Sequence, residues 1–219
     1  VGANILATGT KDEKLQELKK KFPNIQTLKF DISQIDNLEN FIEDATKQLG
    51  GKLHCVVNNA GITQDNLAIR MSLEDWKKVI DINLTSTFLL SKFAIKKMLK
   101  NKYGRIINIA SIAGRQGSPT QGHYASTKSA VITLTRVLAQ EVGEAGITVN
   151  AICPGIILTE MGKNNLGSEK EIAHWSNVAS LKRLGDPKDI IGPTVFFASN
   201  LSDFVTGQSI NVCGGIYFH

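Results

Sequence analysis

Cysteine is scarce in this chain of 219 residues: Cys55, Cys153 and Cys213 form an odd, widely spaced set, each in or beside an apolar run. That excludes a disulfide framework and fits small buried hydrophobes in a reducing compartment. No Cys-x-x-Cys pair occurs, and the four histidines, at 54, 123, 174 and 219, share no short spacing, so no metal motif can be drawn. Uninterrupted apolar runs of the roughly 20 residues that span a bilayer are missing. No basic, then apolar, then small-residue leader opens the chain, so a soluble, unexported, cytoplasmic protein is expected. A dominant charge is lacking too: 25 Lys and Arg against 20 Asp and Glu leave +5, too mild for a nucleic-acid surface. Lys96, Lys97, Lys100 and Lys102 gather at a helix end, where cations suit the dipole; a solvated face or an acidic partner fits them. No linker, repeat or low-complexity tract divides residues 1–219, which read as one domain.

What is present is an alternation of short β-rich runs with longer segments of helical period. It predicts strands over residues 4–7, 27–30, 54–57, 105–109, 148–152 and 209–212, with helices over 12–21, 35–50, 73–101, 124–146 and 187–199. Parallel strands joined by crossover helices produce such a pattern, so a doubly wound α/β domain is expected. The run containing Ile106, Ile107 and Ile109 requires burial on both faces of a parallel sheet. Residues 158–185 stand apart, rich in Gly, Asn, Ser and charge, with a weaker helix near 170–179. Ligands bind beyond the carboxyl ends of strands in such sheets, and this segment follows the strand ending near Ile152, so it reads as a mobile lid.

Two constellations carry chemistry. Asn58-Asn59-Ala60-Gly61 follows the third predicted strand; small residues admit a flat ligand, and amides can tie strands or touch a ribose, although a plain strand-ending turn uses the same letters. Ser111 follows the fourth strand, while Tyr124 and Lys128 lie four apart at the start of a helix and share one face. A fixed cation beside a phenol favours phenolate, which would bring Tyr124 from its ordinary pKa near 10 toward general acid/base use. Ser111 would hydrogen-bond the reacting oxygen, although a surface Tyr with a chance lysine is also common.

Taken together and in this order, these residues resemble the short-chain dehydrogenase/reductases over essentially the whole chain. Asn58-Asn59-Ala60-Gly61 matches the family's Asn-Asn-Ala-Gly, Asn83 within Asp81-Ile82-Asn83-Leu84 matches its catalytic Asn, and Ser111, Tyr124-x-x-x-Lys128 and Pro154-Gly155 follow at family spacing. The resemblance implies a Rossmann-type fold and hydride transfer between nicotinamide C4 and a carbonyl or alcohol carbon. In that scheme Tyr124 passes the proton, Ser111 polarises the oxygen, Lys128 lowers the Tyr124 pKa and binds the nicotinamide ribose, and the Asn83 carbonyl region holds a relay water. Physically this is preorganised electrostatics around a developing alkoxide. Cofactor contacts are implied for Asn59, Ala60, Gly61, Tyr124, Lys128, Pro154, Gly155, Ile157 and Thr159, and an adenine contact for Asp31 and Ile32.

Within the family, Asn59 to Leu67, Arg70-Met71, Gly104 to Ile109, Gly146 to Asn150 and Thr206-Gly207-Gln208 are similar to bacterial-type 3-oxoacyl-(acyl-carrier-protein) reductases. Those use NADPH, form tetramers and serve fatty-acid elongation, which makes a carrier-bound acyl thioester, acyl carrier protein and a homotetramer the expected partners. A sugar or alcohol dehydrogenase, or a non-catalytic member, are the alternatives. Three departures stand out. The family's usual Gly-Gln-Ala-Asn-Tyr is Gln121-Gly122-His123-Tyr124, its Val-Asn-Gly-Gly is Val212-Cys213-Gly214-Gly215, and a basic docking residue is Ala145. Lys102 and Arg105 remain as candidate anchors for the carrier. The Gly-rich phosphate fingerprint is also missing, because residues 1–10 align with the family's second strand. A strand, a turn and a helix of about 30 residues are therefore expected to precede Val1. NAD enzymes place a carboxylate after the second strand; here Gly9-Thr10-Lys11 stands there, with Thr10 and Lys11 able to meet a 2′-phosphate, so NADP is favoured over NAD.

Overall fold

The computed structural model describes residues 2–218 apart from 160, 161 and 163–165. Its elements run β1 Leu6–Gly9, α1 Asp12–Lys21, β2 Gln26–Lys29, α2 Leu38–Gln48, β3 Cys55–Asn58, α3 Leu73–Ile80, α4 Ser86–Met98, β4 Gly104–Ile109, α5 Ala113–Gln116, α6 Gly122–Val142, β5 Ile147–Pro154, α7 Glu169–Val178, α8 Ile191–Ala198 and β6 Ser209–Val212. Strand β6 has the expected bounds, whereas β1 lies two residues later than expected. Helix α5 is an addition, a single turn that periodicity has too few residues to reveal.

Strands β3, β4, β5 and β6 lie side by side in that order and all parallel, with Asn58 opposite Asn108 and Ile107 opposite Asn150. β1 and β2 form a separate parallel pair. The expected sheet is therefore in two pieces, dividing where the order 3-2-1-4-5-6 puts its innermost strand. The pieces share one hydrophobic layer. Leu28, Phe30 and Ile32 pack on the cluster that holds Phe41, Leu90, Met98 and Ile106, and the Phe30 and Phe41 rings stack at 4.2 Å. Lys96 binds Glu39 at 2.8 Å and Lys97 binds Glu43, so these lysines clamp α4 to α2 rather than forming a purely solvated face.

Period-two alternation sorts the four-stranded piece into two faces. Ile106 and Val149 point toward α2, α4 and α6, whereas Ile107 and Ile152 meet Phe197 of α8. Cys55, Cys153 and Cys213 are free, as their spacing implies. Among the described residues no helix is long and apolar enough to cross a membrane.

The helix expected over 73–101 is helical throughout, with one change of winding: α3 ends at Ile80, a π-helical turn spans Asp81–Thr85, and α4 follows. Hydroxyl side chains promote the change, because Ser86 donates to the Ile82 carbonyl (2.6 Å) and Thr87 to the Asn83 carbonyl (2.9 Å). One expectation is corrected: Arg105, a candidate carrier anchor, is 3% exposed; it pairs with Asp203, donates to the Gly104 carbonyl and lies 4.4 Å from the Tyr103 ring centroid. It ties β4 to the segment before β6 and cannot receive an external anion. Lys102 is exposed.

Candidate active site

Each predicted site residue lies at or beyond the carboxyl end of a parallel strand, or on a helix packed there. Asn58, the last residue of β3, is buried and turned inward: its amide donates to Ser91 Oγ (3.0 Å) and Asn108 Oδ1 (2.8 Å), and Asn108 in turn donates to Thr135 Oγ1 (2.9 Å). Of the two roles open to this amide, tying strands is the one it performs. Asn59 and Ala60 are exposed beyond it, and Gly61 is half-buried.

The π-helical turn rotates Asn83 inward, leaving it 1% exposed. Its Oδ1 accepts from Ile62 N–H, and its Nδ2 donates to the Ile62 carbonyl, both at 2.8 Å. The side chain thus grips the loop after Gly61 in a two-point clamp, and Nδ2 also reaches Thr127 of α6 at 3.3 Å. The main-chain carbonyl of Asn83 already accepts from Thr87, which occupies part of the acceptor the relay water was expected to use.

Ser111 sits just past β4, and its hydroxyl accepts from Ala113 N–H at 3.1 Å. The turn beyond it is anchored by Arg115, whose Nη2 donates to the Ser209 carbonyl (2.6 Å) and to Ser209 Oγ (2.7 Å). Ser111 also faces the Tyr124 phenol. Burial nevertheless keeps that phenol above its ordinary range; Ser111 pulls it down and nearby Asp65 pushes it up. The expected lowering by Lys128 is absent from this geometry. Lys128, 4% exposed, donates to the Ile109 carbonyl at 2.7 Å, and its Nζ lies 5.6 Å from the Tyr124 ring centroid. Burial pushes the ammonium itself down to about 8.

The loops around these groups are shaped by close approach. A Cβ on Gly61 would lie 3.2 Å from Asn83 Oδ1 and 3.4 Å from Lys128 Nζ, so glycine keeps a notch open between β3 and α6. A Cβ on Gly155 would lie 2.7 Å from Cys213 Cβ, which holds the Pro154-Gly155 turn flat against β6. Beyond it Ile157 pairs with Gly185, and Thr159 N–H donates to the Ile157 carbonyl at 2.7 Å, so the base of segment 158–185 is pinned. Part of that segment lies outside the described residues. A cavity of about 760 Å³ flanks this base along β6, lined by Ile156, Ile157, Leu181, Ile210 and Cys213. None of Ser111, Tyr124 or Lys128 lines it, so the hydrogen-bonded side chains locate the chemistry.

On the two-stranded piece, Thr10 and Lys11 are exposed at the start of α1, with Asp12 held by Lys29. Asp31 is half-buried and accepts from Ser33 N–H at 2.9 Å, and Ile32 packs partly on the core. Two contributors escape a reading of the sequence: Arg115, and His123, which is fully buried beside Tyr124. The sole signal for His123 is its departure from the family pattern.

Ser111, Tyr124, Lys128 and Asn83, gathered at the carboxyl ends of parallel strands, fit an oxidoreductase of the short-chain type. A short-chain alcohol-dehydrogenase family model described as enoyl-(acyl carrier protein) reductase matches residues 1–217. The chain belongs to the short-chain dehydrogenase/reductase family and is an NAD(P)-dependent oxidoreductase.

Among individual proteins, it is 41% identical over 217 residues to the 3-oxoacyl-(acyl-carrier-protein) reductase FabG of Rickettsia conorii, covering 99% of this chain and 87% of that one. FabG of Vibrio cholerae is 37% identical, with 99% and 88% covered. A crystal structure assigned as a gluconate dehydrogenase from Agrobacterium tumefaciens superposes with a TM-score of 0.92 at 33% identity, covering 98% of this chain and 86% of that one.

Proposed function

We propose that this protein reduces a 3-oxoacyl thioester to the 3-hydroxyacyl thioester with NADPH, in fatty-acid elongation in the cytoplasm. The placing of Ser111 beside Tyr124 and next to buried Lys128 carries the reading, and the 36–41% identity to FabG reductases directs it to acyl thioesters. A bound nicotinamide dinucleotide supplies the hydride. Tyr124 gives its proton to the carbonyl oxygen as negative charge grows there, which suits a phenol that burial keeps protonated. Ser111 donates a hydrogen bond to the same oxygen and steadies the developing alkoxide. Asn83 holds the loop after Gly61 through Ile62, so the Gly61 notch stays open on the cofactor side. That notch supports cofactor contacts by Asn59, Ala60 and Gly61, with Lys128 on its far wall and Pro154, Gly155, Ile157 and Thr159 on the lid side. The lid at 158–185 would position the thioester arm, converting remote contacts into orientation.

NADPH is favoured because Thr10 and Lys11 stand at the start of a ten-residue helix, where backbone N–H groups and the dipole favour an anion. Asp12, the nearest carboxylate, is engaged by Lys29. A Cβ on Gly9 would meet only Leu15 Cδ2 at 3.7 Å, so Gly9→Asp fits without strain. That change should repel a 2′-phosphate and erode the NADPH preference by about 10- to 100-fold in kcat/KM. Equal kcat/KM for NADPH and NADH in the unaltered protein would remove the basis for this assignment.

Acyl carrier protein, a small acidic partner, would meet Lys102 and Lys100 as surface charges screened by salt, so moving the acyl group from a small thiol to the carrier should help only modestly. A sugar-acid or alcohol dehydrogenase is the second reading, favoured by the Agrobacterium structure. The deciding assay compares acetoacetyl thioesters, a crotonyl thioester, gluconate and short alcohols, each with both cofactors. A clear win for gluconate or an alcohol replaces the thioester assignment, and a win for crotonyl thioester moves the reaction to the carbon–carbon double bond.

A further inference from the structure

The residue before Tyr124 is a histidine with no side-chain exposure to solvent, on an element whose first turn is otherwise uncapped. Gln121, at the N-cap of α6, makes no side-chain cap bond, so the N–H groups of Gly122, His123 and Tyr124 have no partner within the helix. His123 resolves one of them: Tyr124 N–H donates to His123 Nδ1 at 2.8 Å. An Nδ1 that accepts must lack a proton, so the neutral ring carries its proton on Nε2. Nε2 lies 3.0 Å from the Gln64 carbonyl and is set to donate to it. The imidazole therefore bridges the backbone of the proton donor to the loop that follows Gly61.

Two neighbouring bonds repeat the connection. Gln121 Nε2 donates to Asp65 Oδ2 at 2.8 Å, and Asn66 N–H donates to the Thr120 carbonyl at 2.9 Å. Thr120 adopts φ 69°, a left-handed conformation a β-branched residue resists, so its place is imposed by surrounding contacts. Residues 64–66 and 120–123 are zipped together, and only His123 makes the connection from within the protein interior.

We propose that His123 is a positioning residue, which sets Tyr124 relative to the Asn59-Ala60-Gly61 loop through its two ring nitrogens. The proposal rests on the reading of Tyr124 as proton donor. A shift of about 1 Å between donor and acceptor costs on the order of 100-fold in rate without weakening substrate binding, so the effect belongs in kcat and not in KM.

Three variants separate the two nitrogens. The asparagine side chain reaches about as far as Nδ1, the glutamine side chain about as far as Nε2, and leucine replaces neither. His123→Asn should keep Tyr124 N–H protected from hydrogen exchange, and His123→Gln should leave it exchanging faster. His123→Leu should lower kcat about 10- to 100-fold with KM within about two-fold, and Asn and Gln should fall between Leu and the unaltered protein. A Leu variant with kcat within two-fold of the parent overturns the proposal, as does an equal loss in all three variants that tracks a common fall in Tm. If the Leu variant does not fold, the Asn and Gln variants decide through Tyr124 amide exchange, and identical exchange in both overturns it. Inactivity of the parent on every carbonyl substrate counts against the functional reading alone, because the exchange pattern still tests the bridge.

Discussion

Tyr124 and Lys128 share a helix face, yet the interior treats them as two separately desolvated groups. Burial drives the phenol up and the ammonium down, each toward its neutral form. Replacing Tyr124 by Phe keeps the ring's packing and removes the proposed proton donor. Turnover should fall by at least about 100-fold while folding and cofactor binding persist; near-normal turnover of the purified variant would refute the assignment. Lys128 leads to a pH prediction. Its pKa is about 8 in the folded chain against 10.5 ordinarily. Between those values the unfolded chain holds the proton and the folded chain has released it, so stability rises with pH in that window. Below 8 both states are protonated, and the burial penalty of about 3 kcal/mol is felt in full. Relative to Lys128→Met, the parent should therefore gain stability as pH climbs from 8 to 10.5, as read by urea midpoints. Parallel curves would show that Lys128 is not desolvated. The raised Tyr124 is common to both proteins and cancels in the comparison.

At the scale of elements, the site depends on how closely α5 approaches α6. A Cβ on Gly114 would lie 2.6 Å from both the Lys128 carbonyl carbon and the Ser129 nitrogen, backbone atoms that cannot swing aside. Gly114→Ala should cost about 1–3 kcal/mol as an overpacked contact. By pushing the Ser111 turn away from the helix bearing Tyr124, it should also lower kcat. Unchanged Tm and kcat would mean that the two elements have slack. The C-terminal end of segment 158–185 is held by comparable detail. Asp189 is paired with Arg183 through two bonds of 2.6 and 2.8 Å and accepts from Asp186 N–H, which keeps its carboxyl well below the usual carboxylate range. Asp186 caps the following turn through Lys188 N–H at 2.9 Å. These exposed contacts fix the chain where segment 158–185 ends.

For the whole molecule, the apolar surface left on α4 and α6 argues for assembly. Leu90, Val131 and Leu138 are spent on the core, and Leu89, Phe93 and Leu134 are half-buried against it. Phe88 remains 42% exposed and Val137 45% exposed, more than one chain's packing uses. We expect these helices to pair between copies, with a tetramer as the end state. Light scattering at micromolar concentration checks this, and a monomer there would count decisively against it.

Local pattern alone determined the alternation of strands and helices, the strand at 209–212 and the free cysteines. Periodicity and side-chain chemistry are properties of neighbouring residues, and these features need nothing more. Other features depend on groups distant in the chain. Asn83 turns inward because a π-helical turn interrupts a pattern that reads as one continuous helix, and its amide grips Ile62, 21 residues away. Arg105 looked available as a basic anchor until the fold placed it under Tyr103 and against Asp203, 98 residues on. His123 reads as one departure from a motif, and its bridge from Tyr124 to Gln64 exists only once α6 docks against the loop after β3. The direction of the Tyr124 shift depends on the fold for the same reason: spacing reveals a neighbouring lysine, whereas desolvation is decided by everything the fold packs around the phenol.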